Sequence, residues 1–460
     1  MSFTNPDIIR QEFSCAMSEM FRQEVPAYGV LVDMVEEINR VTLEQNDELK
    51  SELGHTDGID RITEERHGAI RLGTAEELHT MRRLFAVMGM FPVGYYDLSV
   101  AGIPVHSTAF RPVDRASLAA NPFRVFTSLL RLDLVKDQDL RKEAEEILAT
   151  RKIFTDGVLA LIEKAEAQGG LAEDDTDSFV KEALETFRWH SHARLDLALF
   201  DRLVKAHRLI ADVVSFQGPH INHLTPRTLD IDTVQATMPE KGIDPKAVIE
   251  GPPARQCPIL LRQTSFKALS EPVLFKQENG EWAEGHHTAR FGEIEQRGVA
   301  LTPKGRDLYD ALLTKTREKI LPAGDGSNSS DYMQTLADVF AEFPDSWEEI
   351  RKQGLAYFQY FITEKGQSAQ SSAQLEDLIA EGLVAYAPVV YEDFLPVSAA
   401  GIFQSNLGDD KGENFTPDSN QKIFEEALGS TVLDEFAHYA RIEKESIDAC
   451  LSGFKTTAAA

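Results

Sequence analysis

Cysteine is scarce in this chain: Cys15, Cys257 and Cys450 are the only three in 460 residues, an odd number with no C-x-x-C pair. That excludes a disulfide scaffold and a cysteine-based zinc site, and it points to a reducing compartment, by default the cytoplasm. Long hydrophobic runs are missing as well. The most apolar stretch near the C-terminal end, AYAPVVYEDFLPVSAAGIF, is interrupted by Glu392 and Asp393, and no segment supplies the roughly 18 unbroken apolar residues of a spanning helix. The first twenty residues carry Asp7, Arg10 and Glu12 where a secretion signal needs an apolar stretch. Basic charge is the third deficit. With 47 Lys and Arg against 75 Asp and Glu, the net charge of −28 repels phosphate backbones, and no Lys/Arg stripe with interleaved aromatics overrides it. Neither a nucleic acid nor a membrane is expected as a partner. Nucleotide cofactors are disfavoured too, because G-x-G-x-x-G and G-x-x-x-x-G-K-[ST] loops are both absent.

What is present is a globular composition: 42% hydrophobic and 8% aromatic residues exclude disorder, and at roughly 150 residues per domain the length corresponds to about three domain equivalents. Helical periodicity from Asn5 to Asn46 predicts two helices, and Thr74 is placed to cap a third through Gly89, with Glu76 and Glu77 against its dipole. GYYDLSV and IPVHSTAFRPV read as strands. Residues 134–166 and 175–213 read as helical, joined by QGGLAEDDTD as a solvated loop. Strand character returns at VVSFQGPHINHLTP, CPILLRQTSFKAL and HTARFGEIEQRG, and Thr302 and Pro303 open another helix. The implied organisation is four regions: 1–130, N-terminal helices with the first part of a β core; 131–212, a helical insertion; 213–322, the strand-rich core; and 323–460, a mixed C-terminal region. No internal repeat is visible, and nothing in the letters specifies an oligomeric state.

Twelve histidines offer many false metal sites, which geometry prunes. His190 and His192, read as helical, diverge by about 200° around a 3.6-residue turn and cannot share an ion. His286 and His287 are adjacent on a strand, so at most one faces inward. His220 and His223 differ by an odd number and face opposite sides of an extended segment. Glu293 and Glu295, in RFGEIEQRG, share a face about 7 Å apart. A solvated strand face is the plainer reading of that pair, and a satisfied loop or strand histidine the plainer reading of His67.

Resemblance changes this weighing. The pattern Phe291, Glu293, Ile294, Gln296, Arg297 resembles the last metal-bearing strand of the 4-hydroxyphenylpyruvate dioxygenases. ERHGAIRLGT, GPHINHLTPRTLDID, LLRQTSFKA, FGEIEQRGVALTPKGRDLYD and FLPVSAAGIFQSN together resemble the bacterial 2-oxoadipate dioxygenase/decarboxylase family through most of the chain. The resemblance implies an α+β fold: a mixed β-sheet core of vicinal-oxygen-chelate type enclosing a metal site, elaborated by helical insertions. It also implies Fe(II) held by His67, His223 and Glu293, a 2-His-1-carboxylate triad that leaves positions open for substrate and O₂. Glu295 remains the competitor of Glu293 on the same strand face. Carried over in the same way, Arg71 binds a substrate carboxylate through its planar fork, and Val397 and Ser398 contact substrate. Arg262, Gln263, Lys267 and Arg290 are expected as further polar lining.

The reaction so implied takes 2-oxoadipate and O₂ to 2-hydroxyglutarate and CO₂, six carbons becoming five and one, in bacterial lysine catabolism. It needs no separate 2-oxoglutarate, nicotinamide or flavin. The competing readings are a glyoxalase-type Zn²⁺ or Ni²⁺ isomerase on the same scaffold, and a non-catalytic 2-oxo-acid sensor.

Overall fold

A computed structural model describes residues 3–56, 58–277, 279–369, 371, 373–395 and 417–457. Its strands, in chain order, are β1 (Arg66–Leu72), β2 (Phe91–Asp97), β3 (Val105–Arg111), β4 (Arg124–Leu130), β5 (His192–Ala193), β6 (Leu224–Pro226), β7 (Leu261–Ser265), β8 (Glu271–Lys276), β9 (Trp282–His287), β10 (Glu293–Arg297), β11 (Phe358–Ile362) and β12 (Val384–Pro388). Between β1 and β2 runs the helix Ala75–Val87. Thr74 caps it as expected, its hydroxyl accepting the Glu77 amide at 3.2 Å, and Leu78, Met81, Leu84 and Phe85 form its buried stripe. β2, β3 and β4 then meander back so that β4 lies parallel to β1. The five-stranded sheet has the order β2-β3-β4-β1-β6, with β6 antiparallel to β1. All seven residues of β3 are buried. This is the expected mixed α+β core, with helices packed around it.

A second, two-stranded sheet joins the first at one corner. β10 pairs antiparallel with β7, and an Arg227–Glu295 bridge, with the Thr228 amide donating to the Glu295 carbonyl at 2.7 Å, ties β10 to the end of β6. His67 of β1 is therefore near both Thr225 of β6 and the carboxylates of β10. The two halves have separate apolar support. Helices Pro6–Glu24 and Pro26–Gln45 pack Phe13, Phe21, Tyr28 and Leu31 behind β1 and β4. Helix Pro303–Lys319, helix Ser329–Phe340 and β11 enclose Leu261 and Val299 beside β7 and β10.

Several expected elements differ. The stretch 175–213 is not one helical region: helix Glu173–Glu185 ends, β5 pairs parallel with β8, and helices Leu197–Ala206 and Arg208–Ser215 follow. His190 and His192 thus lie outside any helix. The acidic run of QGGLAEDDTD is not a loop either. Glu173, Asp174 and Asp175 occupy the first turn of a helix, where negative charge meets the exposed amides and is stabilised by the macrodipole. VVSFQGPHINHLTP holds the end of a helix, an irregular segment and only three strand residues, because Asn222 divides its backbone bonds, its amide donating to Ala69 and its carbonyl accepting from Phe291. TARFG separates β9 from β10. Among the described residues, no helix is long and apolar enough to cross a membrane.

One buried histidine of β3 makes the fold acid-sensitive. His106 packs against Phe424 at 4.7 Å, and burial, aided by the nearby charge of Arg131, pushes its pKa down to about 4. Because the folded value lies below the unfolded one, the stabilisation is present above pH ~6.5 and is lost as pH falls toward 4. Between pH 7 and pH 5 this group alone should cost about 2 kcal/mol. Urea unfolding of wild type and His106→Gln at both pH values checks it: the variant should lose less stability on acidification, and an equal loss would contradict the assignment.

Candidate metal centre and substrate pocket

β1 carries His67, Ala69 and Arg71 on one face, since side chains alternate along a strand, and all three line the same cavity. His223 reaches that cavity from the irregular segment before β6. The segment is held flat on β1: the Asn222 amide donates to the Ala69 carbonyl at 3.0 Å, and the Phe291 amide to the Asn222 carbonyl at 3.1 Å. Gly68 permits this approach, because a Cβ there would lie 2.5 Å from Ile221 Cδ1. Glu293 is the first residue of β10. Its Oε1 lies 3.1 Å from His67 Nε2 and 3.6 Å from His223 Nδ1, and accepts Thr225 Oγ1 at 3.2 Å and Gln263 Nε2 at 3.0 Å. One donor atom from each of His67, His223 and Glu293 falls within 4.8 Å of the others, and all three residues are buried.

The two neighbouring glutamates share a face, as the pleat requires, but they have different neighbours. Glu295 Oε2 sits 3.0 Å from His67 Nδ1, on the ring edge opposite Glu293. It also accepts Arg297 Nε and Nη2 at 2.8 and 2.9 Å and Arg124 Nη1 at 3.4 Å. Burial would raise its pKa, yet Arg297, His67 and Arg124 hold the carboxyl at about 2. Glu295 is thus engaged by both arginines and lies beside the Nδ1 edge of the histidine, where a carboxylate supports an imidazole whose Nε2 faces a metal. Glu293 faces the cavity.

His223 is the clearest sign that something binds here. It is buried, burial pushes its pKa down to about 4, and neither ring nitrogen makes a hydrogen bond to any described residue. A neutral imidazole with unsatisfied nitrogens is costly unless a ligand completes it. His67 differs: burial lowers its pKa, but Glu295 and Glu293 more than offset this and hold it above the ordinary value. Two imidazoles and a carboxylate form an N₂O donor set that suits a divalent first-row metal.

The cavity has a volume of about 460 Å³. Phe126, Phe291 and Phe394 supply apolar walls, while Asn222 and Ser265 contribute buried side-chain atoms without partners among the described residues. Arg71 lines the same cavity, its Nη1 donating to Asp212 Oδ2 at 2.6 Å. Gln263 and Lys267 line the cavity as expected. Arg262 and Arg290 do not: Arg262 turns to Asp232, and Arg290 to Glu24 and Glu271. Val397 and Ser398 lie outside the described residues.

A family model for 2-oxoadipate dioxygenase/decarboxylase matches residues 13–406. The chain belongs to that family. It is 58% identical to the 2-oxoadipate dioxygenase/decarboxylase of Pseudomonas putida over 97% of both chains. It is 55% identical to that of Escherichia coli over 96% of this chain and 98% of the other. Among solved structures, the hydroxyglutarate synthase of Pseudomonas putida in complex with 2-oxoadipate superposes with a TM-score of 0.91 at 54% identity. The match covers 99% of this chain and all of that one.

In this member of the 2-oxoadipate dioxygenase/decarboxylase family, several groups in and around the cavity escaped sequence reasoning. Asp212 is buried beside Arg71, and His287, the inward member of the 286–287 pair, donates to it or accepts from it at 2.7 Å. His286 is exposed, in line with strand alternation. The strand pattern could have singled out His287, but nothing linked it to Asp212, 75 residues earlier. Arg124, Asn222 and Ser265 had no local signal.

Proposed function

We propose that this chain is an Fe(II)-dependent dioxygenase/decarboxylase converting 2-oxoadipate and O₂ to 2-hydroxyglutarate and CO₂. The observation that carries the reading is the convergence of His67, His223 and Glu293 in one cavity with Arg71. Its family membership and the names of its relatives support the substrate. His67, His223 and Glu293 are proposed to hold the iron, which when bound supplies the redox chemistry that lets O₂ react with a 2-oxo acid.

The protein's own residues do the rest. Arg71 offers a cationic fork to the carboxylate at the far end of the substrate, so the 2-oxo end is directed toward the triad. The walls formed by Phe126, Phe291 and Phe394 exclude water around the reacting carbons. Asn222 and Ser265 present polar atoms that a substrate oxygen can satisfy. Val397 and Ser398 are proposed to contact the substrate, as the family resemblance implies. The wider setting we propose is lysine breakdown in the cytoplasm.

The test is O₂ consumption by Fe(II)-reconstituted protein given 2-oxoadipate, with CO₂ and 2-hydroxyglutarate quantified together. One O₂ taken up per CO₂ and per 2-hydroxyglutarate is expected, since the atoms balance only in that ratio. Turnover under anaerobic conditions would move the reading to an isomerase, and binding without turnover to a sensor.

A further inference from the structure

Asp212 is a buried carboxylate in the wall of a cavity proposed to admit a dianion, where it would repel substrate unless it had another task. It belongs to helix Arg208–Ser215 and is held by hydrogen bonds to Arg71 and His287, with His220 close by. Its Oδ2 accepts Arg71 Nη1 at 2.6 Å, its Oδ1 lies 2.7 Å from His287 Nε2, and His220 Nε2 is 3.3 Å from the same oxygen. The two histidines are wedged in turn: His220 meets Trp189 at 4.8 Å, and His287 meets Phe216 at 4.8 Å. Burial alone would raise the Asp212 pKa, but His220 and Arg71 hold it well below the usual carboxylate range.

The consequence falls on Arg71. Only Nη1 is occupied; Nε and Nη2 make no hydrogen bond to any described residue, and the side chain keeps 20% of its exposure. The Nε/Nη2 edge is one that grips a carboxylate with two parallel bonds. An unrestrained arginine would lose rotamer freedom on binding, whereas a pinned one has already lost it.

We infer that Asp212, itself held by His287, is a positioning and specificity-determining residue that presents the Nε/Nη2 edge of Arg71 to the distal carboxylate of a 2-oxo dicarboxylic acid. The inference rests on the substrate reading above. It also explains why the cavity tolerates an arginine at all: the Arg71–Asp212 pair is neutral as a unit, so selection comes from the shape of the fork and not from a bare buried cation.

The experiment is anaerobic calorimetric titration of the Fe(II)-loaded protein with 2-oxoadipate and with 2-oxohexanoate, which has the same chain length but lacks the distal carboxylate. Asp212→Asn should weaken 2-oxoadipate binding about tenfold, the loss expected for one hydrogen bond involving charged partners, and leave 2-oxohexanoate within about twofold. Asp212→Glu should recover part of the loss, and iron content should stay unchanged. Unchanged or tighter 2-oxoadipate binding in Asp212→Asn would overturn the inference, as would an equal loss for both acids, which a merely structural role gives. If Asp212→Asn does not fold, His287→Gln carries the same comparison, with a loss of about threefold confined to the dicarboxylate. Wild-type protein that fails to prefer 2-oxoadipate would sink the substrate reading itself; a preference abolished by Arg71→Lys but intact in Asp212→Asn would sink only the role of Asp212.

Discussion

His223→Ala is expected to lose bound metal and 2-oxoadipate turnover by more than about a hundredfold, the upper end of what removal of a ligand's hydrogen-bond partner costs. Its metal-free form should nevertheless melt close to metal-free wild type. The reason lies in what the ring does without a metal. His223 contacts Phe291 at 4.7 Å and His67 at 5.4 Å, but both of its nitrogens are buried and make no hydrogen bond to any described residue. Truncation removes packing and, at the same time, two unsatisfied polar atoms, so the changes oppose each other. Ligand binding stabilises only the form that can bind. Added Fe(II) should therefore raise the melting temperature of wild type and leave that of His223→Ala where it was. A metal-induced shift retained in His223→Ala would remove this histidine from the ligand set. Glu293→Ala should behave alike toward metal.

The sequence carried the outer features of this site better than its inner ones. Thr74 as a helix cap, the strands before and after Gly102, though Leu98–Ala101 forms a 3-10 turn where the first was expected to continue, and the single inward histidine of 286–287 follow from local chemistry and alternation, and the structure has them. The convergence of His67, His223 and Glu293 does not follow from any local rule. It depends on β4 returning beside β1 and on β10 bridging to β6, contacts between residues far apart in the chain. Resemblance named those residues; folding physics alone left Glu293 and Glu295 equivalent. The acidic run at 173–177 misled because charge was read as solvation, when its value is electrostatic at a helix start. Asp212 was invisible for a further reason: it sits mid-helix in an unremarkable sequence, and its importance comes only from what Arg71 and His287 bring to it.

Glu295→Ala should separate the two glutamates by the kind of damage done. Glu293 meets a cavity and two neutral donors, Thr225 and Gln263, so its removal chiefly costs metal. Glu295 is built into buried ion pairs. Arg124 also binds Glu65 at 2.7 Å and Glu392 at 2.8 Å, while Arg297 reaches Glu65 at 3.2 Å and the carbonyls of Tyr391 and Asp393. Without Glu295, Arg124 and Arg297 must share Glu65 and Glu392, each already paired with Arg227 or Arg61. An uncompensated buried charge typically costs about 3–5 kcal/mol, so Glu295→Ala should unfold at markedly lower urea than wild type or Glu293→Ala. The His67 ring would keep its place on β1 but lose the partner at Nδ1 that fixes its orientation. Metal affinity should then fall by about 10–100-fold without vanishing. Urea titration and metal-binding isotherms on the two variants decide the matter. Metal lost in Glu295→Ala and kept in Glu293→Ala would exchange their roles, making Glu295 the ligand and Glu293 the support.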